Sequence, residues 1–268
     1  MIPVDRAHLE VVAATHPGEV RTTNEDRFAV GTYQLSAQDP TPCTLAILCD
    51  GIGGHAAGEV AAQIIVDQYM LQAAEFDGRD PTLEVSTALV RAGRAVYARA
   101  RSDASLYGMG ATAATAWVIG NRLYTATIGD SRIYLLRADG MRQVSVDHTY
   151  VQEAVERGTL TLEEARTHPY AHVLRRHLGG ERDPLPDLRL RLSPDEDDAV
   201  AIAHQGLPLA AGEIALLCTD GLSDLVQVEE IGEALLARPL SQAVAHLIDM
   251  ARARGGHDNI TIIALRHP

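Results

Sequence analysis

The sequence predicts an α+β fold in which antiparallel sheets pack against each other and helices lie outside them. Short apolar runs separated by turn residues are typical of strands, and longer segments with helical spacing come in pairs between groups of such runs. The 268 residues are 46% apolar and contain no linker rich in Ser, Gly or Pro. A single domain over residues 1–268 is therefore expected, since such a chain can bury one large core.

The N-terminal half is predicted to contain strands, then a helix pair, then a meander. The first strands are expected at residues 9–15, 28–32 and 44–49. Apolar residues at helical spacing predict helices at 56–74 and 83–101. Turn residues at Gly120-Asn121 and Asp139-Gly140 divide the next apolar region into a meander. Its strands are expected at 111–119, 122–128, 132–137 and 142–145.

The C-terminal half begins with a polar segment, residues 148–178, in which only short helical pieces are expected. After it, the apolar patterns predict two strands, a second helix pair and a final strand. These elements are expected at 199–204 and 213–218, at 229–237 and 241–254, and at 260–265.

Charge and composition exclude several classes of partner. The net charge of −13 argues against nucleic acid and anionic membrane surfaces. Every basic residue is Arg, so no lysine can serve in catalysis. Cys43, Cys49 and Cys218 lie in apolar runs without a paired spacing and are expected to be buried free thiols of a reducing compartment. No segment has the pattern of a membrane span or a signal peptide, so a cytoplasmic protein is expected.

Four aspartates end or follow apolar, strand-like runs: Asp50, Asp130, Asp220 and Asp258. A carboxylate at the end of a buried strand is unfavourable unless a positive group meets it. Several carboxylates in one place would repel each other and raise each other's pKa. Divalent cations with hard oxygen ligands remove both problems. The pattern therefore predicts one acidic pocket that holds metal ions.

A simpler interpretation is that Asp-Gly marks ordinary turns. Asp77-Gly78 lies in a polar stretch and is expected to be a loop, and Asp139-Gly140 is expected to be a hairpin turn. Asp50 and Asp220 differ because a continuous apolar run precedes each of them. That context favours a strand end over a loop tip.

Six short motifs occur in a fixed order along the chain. They are RTTNED at 21–26, DGIGGH at 50–55, MGAT at 109–112, GDSR at 129–132, TDG at 219–221 and DN at 258–259. Together they resemble the metal-dependent Ser/Thr protein phosphatases of the 2C type in their bacterial, stand-alone form. The resemblance extends over residues 9–265. It implies a four-layer α-β-β-α sandwich, with two antiparallel sheets flanked by helix pairs and a two-metal centre at one end.

The resemblance also implies a set of metal ligands. Asp50 should bridge both metals, and the carbonyl of Gly51 should bind one of them. Asp220 and Asp258 should complete the other metal site. Asp130, together with Asp220, should hold a third and weaker metal.

Three further positions follow from the same resemblance. Glu25 and Asp26 should act through metal-bound waters, and Arg21 should bind the substrate phosphate. The polar segment should form a flap, residues 148–180, beside the active site and affect substrate choice. Asn259 is expected to orient the loop that holds Asp258.

The chemistry agrees with these assignments. Phosphomonoester hydrolysis is extremely slow without help. Two divalent metals can activate a water at neutral pH and neutralise the charge on the phosphoryl oxygens. A ligand set made only of hard oxygens favours Mn²⁺ or Mg²⁺ over Zn²⁺. The guanidinium of Arg21 can grip two phosphate oxygens at once.

No histidine of the sequence is assigned a role in catalysis or metal binding. His55 could act as a general acid, but a structural role at a helix start is favoured. The family's eukaryotic members carry a histidine immediately after the Asp-Gly pair, where this chain has Ile52, so the group that protonates the leaving group is unassigned. The other candidates lie in the polar segment, fit no ligand spacing and are expected to be solvated. They are His148, His168, His172 and His177.

The function expected from the sequence is hydrolysis of phosphoserine and phosphothreonine in proteins by metal-activated water, without a phospho-enzyme. The expected partners are phosphoproteins and a cognate Ser/Thr kinase, and the expected state is a monomer. Two alternatives are open. A two-metal nuclease or phosphodiesterase is disfavoured by the acidic charge. A pseudophosphatase that serves as a binding module should have lost ligands, yet every aspartate position is filled.

Overall fold

The computed structural model describes residues 1–53, 56–180 and 184–268. The strands are β1 (Ile2–Pro3), β2 (Glu10–His16), β3 (Arg27–Gln34), β4 (Pro42–Cys49), β5 (Gly51–Ile52), β6 (Gly110–Ala111), β7 (Ala113–Ile119), β8 (Arg122–Ile128), β9 (Arg132–Arg137), β10 (Gly140–Gln143), β11 (Leu207–Pro208), β12 (Ile214–Cys218) and β13 (Ile260–Arg266). The helices are α1 (Ala56–Ala74), α2 (Pro81–Ser102), α3 (Tyr150–Glu156), α4 (Leu162–Arg166), α5 (Asp198–Ala203), α6 (Asp220–Ser223), α7 (Val228–Ala237) and α8 (Leu240–Ala253).

Two antiparallel sheets form the centre of the molecule. The first has the strand order β1-β3-β4-β7-β8-β11, and the second has the order β10-β9-β12-β13-β2. A short ribbon of β5 and β6 stands apart from both. Helices α1 and α2 pack on the first sheet, and α7 and α8 pack on the second. The predicted four-layer α-β-β-α sandwich is therefore confirmed.

The alternation of side chains along β4 explains why the sheet has helices on one face and a second sheet on the other. Leu45, Ile47 and Cys49 belong to the core under α1 and α2. Ala46 and Leu48 belong to the core between the two sheets. Because both faces are buried, the strand is apolar at nearly every position.

Helix α2 begins where the sequence provides a cap. Pro81 is the first residue of α2, and the side chain of Asp80 accepts a hydrogen bond of 3.0 Å from the backbone of Leu83. A carboxylate in this position satisfies an otherwise unpaired amide of the first turn. Among the described residues, no helix has the length and apolar character needed to cross a bilayer.

One predicted element is wrong. The strand expected at 199–204 is the helix α5. The side chain of Asp197 accepts a hydrogen bond of 2.8 Å from the backbone of Val200, which is a helix cap that the alternating pattern concealed. Ala201 is the buried residue of this helix, while Val200 and Ile202 are exposed. The alternation therefore did not indicate a half-buried strand.

Candidate metal centre

Sheet register brings the predicted aspartates to one end of the sandwich. Arg27 pairs with Cys49, so Asp26, before β3, lies beside Asp50, after β4. In the second sheet, Cys218 pairs with Arg132 on one side and with Ile262 on the other. The residues that flank these strand ends, at 130, 220 and 258, therefore approach each other. Asp220 is the first residue of the short helix α6, just beyond the end of β12.

The acids perturb one another strongly. Burial raises the pKa of Asp50 well above its usual value, and the neighbouring charges of Asp220, Asp26, Asp130 and Asp258 raise it further. Burial likewise raises the pKa of Asp26 and Asp220. The pKa of Asp130 is raised by burial and by the charge of Asp220. Such a cluster is stable at neutral pH only if protons or cations compensate the charge.

The residues present fit divalent cations. Oδ1 of Asp26 and Oδ1 of Asp220 are both buried and have no hydrogen-bond partner among the residues that the structure describes. Buried polar atoms are normally paired, so an unpaired carboxylate oxygen needs an explanation. The surrounding donors are carboxylate and carbonyl oxygens, which are the ligands that Mg²⁺ and Mn²⁺ prefer.

Asp26 is held by two threonines of the second sheet. Oγ1 of Thr261 donates a hydrogen bond of 2.6 Å to Oδ2 of Asp26, and Oγ1 of Thr219 donates one of 3.0 Å to the same oxygen. Both bonds go to Oδ2, while Oδ1 is buried and unpaired within the described part of the chain. The threonines thus orient the carboxylate and hold it in place.

Gly51 is required by a close approach of two backbone segments. A Cβ atom at Gly51 would lie 2.5 Å from the backbone of Gly58 and 2.8 Å from the carbonyl oxygen of Glu25. The contact that excludes a side chain here is with the first turn of α1 and with the backbone of Glu25. A Cβ at Gly58 would in turn lie 2.1 Å from Oε2 of Glu25.

Thr112 fixes the backbone of Asp50, a role that the sequence did not assign to it. Its Oγ1 accepts a hydrogen bond of 3.0 Å from the amide of Asp50, and its own amide donates one of 2.9 Å to the carbonyl of Asp50. The hydroxyl of Thr112 also forms a hydrogen bond of 2.7 Å with Oγ of Ser131. Ser131 and Thr219 therefore support the acidic residues and are not placed as nucleophiles.

Asn259 connects the loop that holds Asp258 to the N-terminal loop, and its amide donates a hydrogen bond of 2.8 Å to Oδ1 of Asp258. Its Nδ2 donates hydrogen bonds of 3.0 Å and 2.9 Å to the carbonyls of Pro17 and Thr23. Its Oδ1 accepts one of 2.8 Å from the amide of Glu25. Asn259 thus holds the N-terminal loop that carries Arg21, in addition to following Asp258.

Arg21 lies at the solvent-exposed edge of the acidic cluster. Its side chain is 57% exposed, and Nη2 donates a hydrogen bond of 2.8 Å to Oδ2 of Asp258. The charges of Asp258, Glu25 and Asp50 all raise the pKa of Arg21. The guanidinium is therefore positively charged and accessible to a ligand that enters the cluster.

Two further residues lie beside Asp220: Asp224, which sequence reasoning missed, and His172, which it set aside. One ligand atom each from His172, Asp220 and Asp224 lie within 4.8 Å of one another. Nδ1 of His172 is 3.3 Å from Oδ2 of Asp224. The signal for Asp224 was its spacing, because residues four apart in a helical turn share a face. His172 was expected to be solvated because the flap histidines fit no ligand spacing, yet its ring contacts an acid of the cluster.

The expectation of solvated flap histidines is wrong for His148, which is buried. Its ring lies between the backbone of Gly129 and the carboxylate of Asp187. His168 and His177 are both half-buried, and neither belongs to the group formed by His172, Asp220 and Asp224. The prediction for His55 lies outside the described residues.

Comparisons with known proteins agree with this geometry. The family described as Protein phosphatase 2C matches residues 11–157, more than half of the chain. The serine/threonine protein phosphatase PstP of Mycobacterium tuberculosis (strain CDC 1551 / Oshkosh) is 37% identical over 259 residues. This alignment covers 95% of the present chain but 44% of PstP, so the chain spans less than half of that relative.

A second relative has nearly the length of the present chain. The serine/threonine phosphatase stp of Listeria innocua is 32% identical over 254 residues, which are 93% of this chain and 92% of the relative. The crystal structure of the catalytic domain of PstP in complex with two manganese ions has a TM-score of 0.76 and 34% identity. It covers 96% of this chain and 97% of that one. The chain therefore belongs to the protein phosphatase 2C family.

Proposed function

We propose that this chain is a protein phosphatase that hydrolyses phosphoserine and phosphothreonine with the help of two divalent cations. One observation carries the proposal: the acids at the end of the sandwich converge, and two of them, Asp26 and Asp220, present buried oxygens without a partner. The acids alone would repel a phosphate dianion. Binding of the phosphate therefore needs the positive charge of Arg21 and of the cations that the acids hold.

The proposed ligands are those that the family resemblance implies, and the convergence of the acids supports them. Asp50 and the carbonyl of Gly51 would hold the first cation, and Asp50, Asp220 and Asp258 would hold the second. Glu25 and Asp26 would act through water molecules. When bound, the two cations would lower the pKa of a water molecule and offset the charge on the phosphoryl oxygens.

Arg21 would bind and orient the phosphate. Its guanidinium presents five donors in a planar fork, so one bond to Asp258 leaves others for the substrate. Because the side chain is exposed, a phosphorylated residue can reach it from solvent. Arg21 would therefore act in binding, while the chemistry depends on the acids.

A third and weaker cation would lie at Asp130 and Asp220. The proximity of Asp224 and His172 to Asp220 supports this proposal and extends its ligand set. Mn²⁺ or Mg²⁺ would occupy the sites, since carboxylates dominate them.

The proposal extends to the substrates, the compartment and the oligomeric state of the enzyme. Its substrates would be phosphoproteins, among them a cognate Ser/Thr kinase and that kinase's own substrates. The three cysteines are free and buried, as a reducing compartment such as the cytoplasm requires. The chain would act as a monomer, with one catalytic domain over residues 1–268.

The test is hydrolysis of a phosphothreonine peptide and of p-nitrophenyl phosphate in Mn²⁺ by the wild type, Asp50→Asn and Asp77→Asn. Asp77 is the matched control, because it begins an Asp-Gly pair in an exposed loop. We expect turnover of both substrates by the wild type and Asp77→Asn, and loss of both in Asp50→Asn. Equal activity in Asp50→Asn would refute the assignment. Cleavage of a phosphodiester instead of these monoesters would favour the phosphodiesterase alternative.

A further inference from the structure

His148 begins the flap segment and makes four hydrogen bonds within the fold. Its amide donates one of 2.9 Å to the carbonyl of Gly129, and its Nδ1 accepts one of 3.0 Å from the amide of Gly129. Its Nε2 lies 3.1 Å from Oδ2 of Asp187, and its carbonyl accepts a bond of 2.8 Å from the amide of Arg175. A buried histidine with partners on both ring nitrogens has a fixed ring orientation.

The contacts determine the tautomer. Nδ1 accepts from the amide of Gly129, so it carries no proton. The proton is therefore on Nε2, which donates to Asp187. Asp187 does not depend on this bond alone, because Arg189 also binds its carboxylate and its backbone pairs with Thr127.

Each of these partners belongs to a different part of the active-site region. Gly129 directly precedes Asp130, the proposed ligand of the third cation. Arg175 lies near the end of the flap segment, three residues after His172, which contacts Asp224. The amide of Tyr150 also donates a hydrogen bond of 2.8 Å to the carbonyl of Val173, so the start and the end of the flap run side by side.

We propose that His148 is a positioning residue that ties the flap segment to the turn carrying Asp130. Through this tie, the surface that surrounds His172 is held beside the acidic cluster. The inference rests on the proposed phosphatase function, since it gives the flap a role in binding phosphorylated protein. His148 itself touches neither substrate nor metal.

The tie affects large and small substrates differently. A phosphopeptide extends beyond its phosphate and meets the flap, whereas p-nitrophenyl phosphate occupies little more than the phosphate site. A displaced flap misaligns only the larger substrate, and misplacement of a bound group lowers the rate steeply. Loss of His148 therefore lowers kcat/KM for the peptide more than for p-nitrophenyl phosphate.

Two variants of His148 separate the contacts. His148→Ala removes both ring bonds, and Arg189 still pairs with Asp187 in that variant. His148→Asn keeps an acceptor near the position of Nδ1 for the amide of Gly129 but loses the donor to Asp187. Leu162→Ala is the control, because Leu162 is an exposed residue of the same segment.

The first measurement is kcat/KM for a phosphothreonine peptide and for p-nitrophenyl phosphate in saturating Mn²⁺. The second is the rate at which trypsin cuts the folded protein after Arg157 and Arg166, which are exposed in the flap. In His148→Ala, we expect the ratio of peptide to small-substrate kcat/KM to fall about tenfold and flap cleavage to accelerate. His148→Asn should lie between His148→Ala and the wild type, and Leu162→Ala should match the wild type.

The outcomes distinguish this proposal from the proposed function. If the wild type hydrolyses neither monoester, the proposed phosphatase function is wrong. The trypsin cleavage rates still test whether His148 holds the flap segment in place. If the folded His148 variants have the same substrate ratio and the same cleavage rate as the wild type, the proposed role of His148 is wrong. The proposed phosphatase function is not affected by that result. If His148→Ala does not fold, the same comparison of His148→Asn with the wild type decides.

Discussion

The hydroxyl of Thr261 lies 2.6 Å from Oδ2 of Asp26 and donates a hydrogen bond to it. The bond joins β13 of the second sheet to the start of β3 in the first, directly at the acidic cluster. The hydroxyl proton of Thr261 is used in this bond, so Thr261 can only accept a bond from Thr15. Oγ1 of Thr15 lies 2.8 Å from Oγ1 of Thr261 and therefore donates to it. Nδ2 of Asn24 donates to Thr15 in turn, at 2.8 Å. A chain of hydrogen bonds therefore connects Asn24 to Asp26 across the end of the sandwich.

The first prediction concerns this bond. Thr261→Val preserves the shape of the side chain but removes one donor to the buried carboxylate of Asp26. We expect a loss of about 1–3 kcal/mol in the free energy of unfolding and weaker Mn²⁺ binding. Urea unfolding and calorimetric titration measure the two effects. Thr15→Val is the control, because Thr261 still donates to Asp26 in that variant; equal stability and metal affinity in Thr261→Val and the wild type would contradict the assignment.

The second prediction concerns pH. The folded-state pKa values of Asp26, Asp50, Asp130 and Asp220 are raised, so folded protein treated with EDTA holds protons that the unfolded chain has lost. The stability from these groups is present below the unfolded pKa of about 4 and is lost as pH rises through the raised values.

Thermal unfolding of EDTA-treated protein should therefore shift to lower Tm as pH rises from about 4 to neutrality. Mn²⁺ competes with these protons, so its stabilising effect should grow over the same range. A series of Tm values with and without Mn²⁺ checks this expectation. A Tm of the EDTA-treated protein that climbs steadily over this range would show that the acidic cluster does not govern its stability.

Sequence reasoning was most successful where one local pattern determines one element. The apolar run before Asp50 predicted a buried strand, and the ordered motifs identified the family. It failed where a cap competed with a periodic pattern, as at Asp197, whose hydrogen bond to Val200 makes residues 198–203 helical.

The parts of the site that were missed depend on long-range contacts. Thr112 supports Asp50 across 62 positions of sequence, and Asn259 bonds the carbonyl of Pro17 across 242. His148 was expected to be solvated because its neighbours in sequence are polar. Its partners Gly129 and Asp187 are 19 and 39 residues away, so local composition could not show its burial.

The third prediction separates binding from chemistry. Arg21→Ala should raise KM for a phosphothreonine peptide more than it lowers kcat, because Arg21 grips the phosphate in both ground and transition states. Arg21→Lys should recover only part of the loss, since an ammonium group lacks the planar fork. Arg79→Ala, which changes an exposed arginine in a loop, is the control. Loss of a tightly bound Mn²⁺ in Arg21→Ala would contradict this role, because a guanidinium is not a metal ligand.

The fourth prediction concerns the proposed third cation. Asp130→Ala should leave two tight Mn²⁺ sites intact, abolish a site detected only at high Mn²⁺ and lower kcat. Asp224→Ala should weaken the same site, because the carboxylate of Asp224 lies close to the carboxylate of Asp220 and to the ring of His172. Mn²⁺ titrations followed by kinetics test both variants, with Asp139→Ala in an exposed turn as the control. A tight site missing from Asp130→Ala would mean that Asp130 belongs to the two-cation centre instead.

The most direct test of the account is the number of Mn²⁺ ions that EDTA-treated protein binds tightly, measured by calorimetric titration together with Tm. The account predicts two per chain, with a higher Tm when they are bound, because a ligand of the folded state alone stabilises it by about 2.7 kcal/mol at a hundred times its Kd. It also predicts that phosphothreonine hydrolysis appears only when both ions are bound. EDTA-treated protein that binds no Mn²⁺ tightly and still hydrolyses the phosphothreonine peptide at the full rate would contradict it.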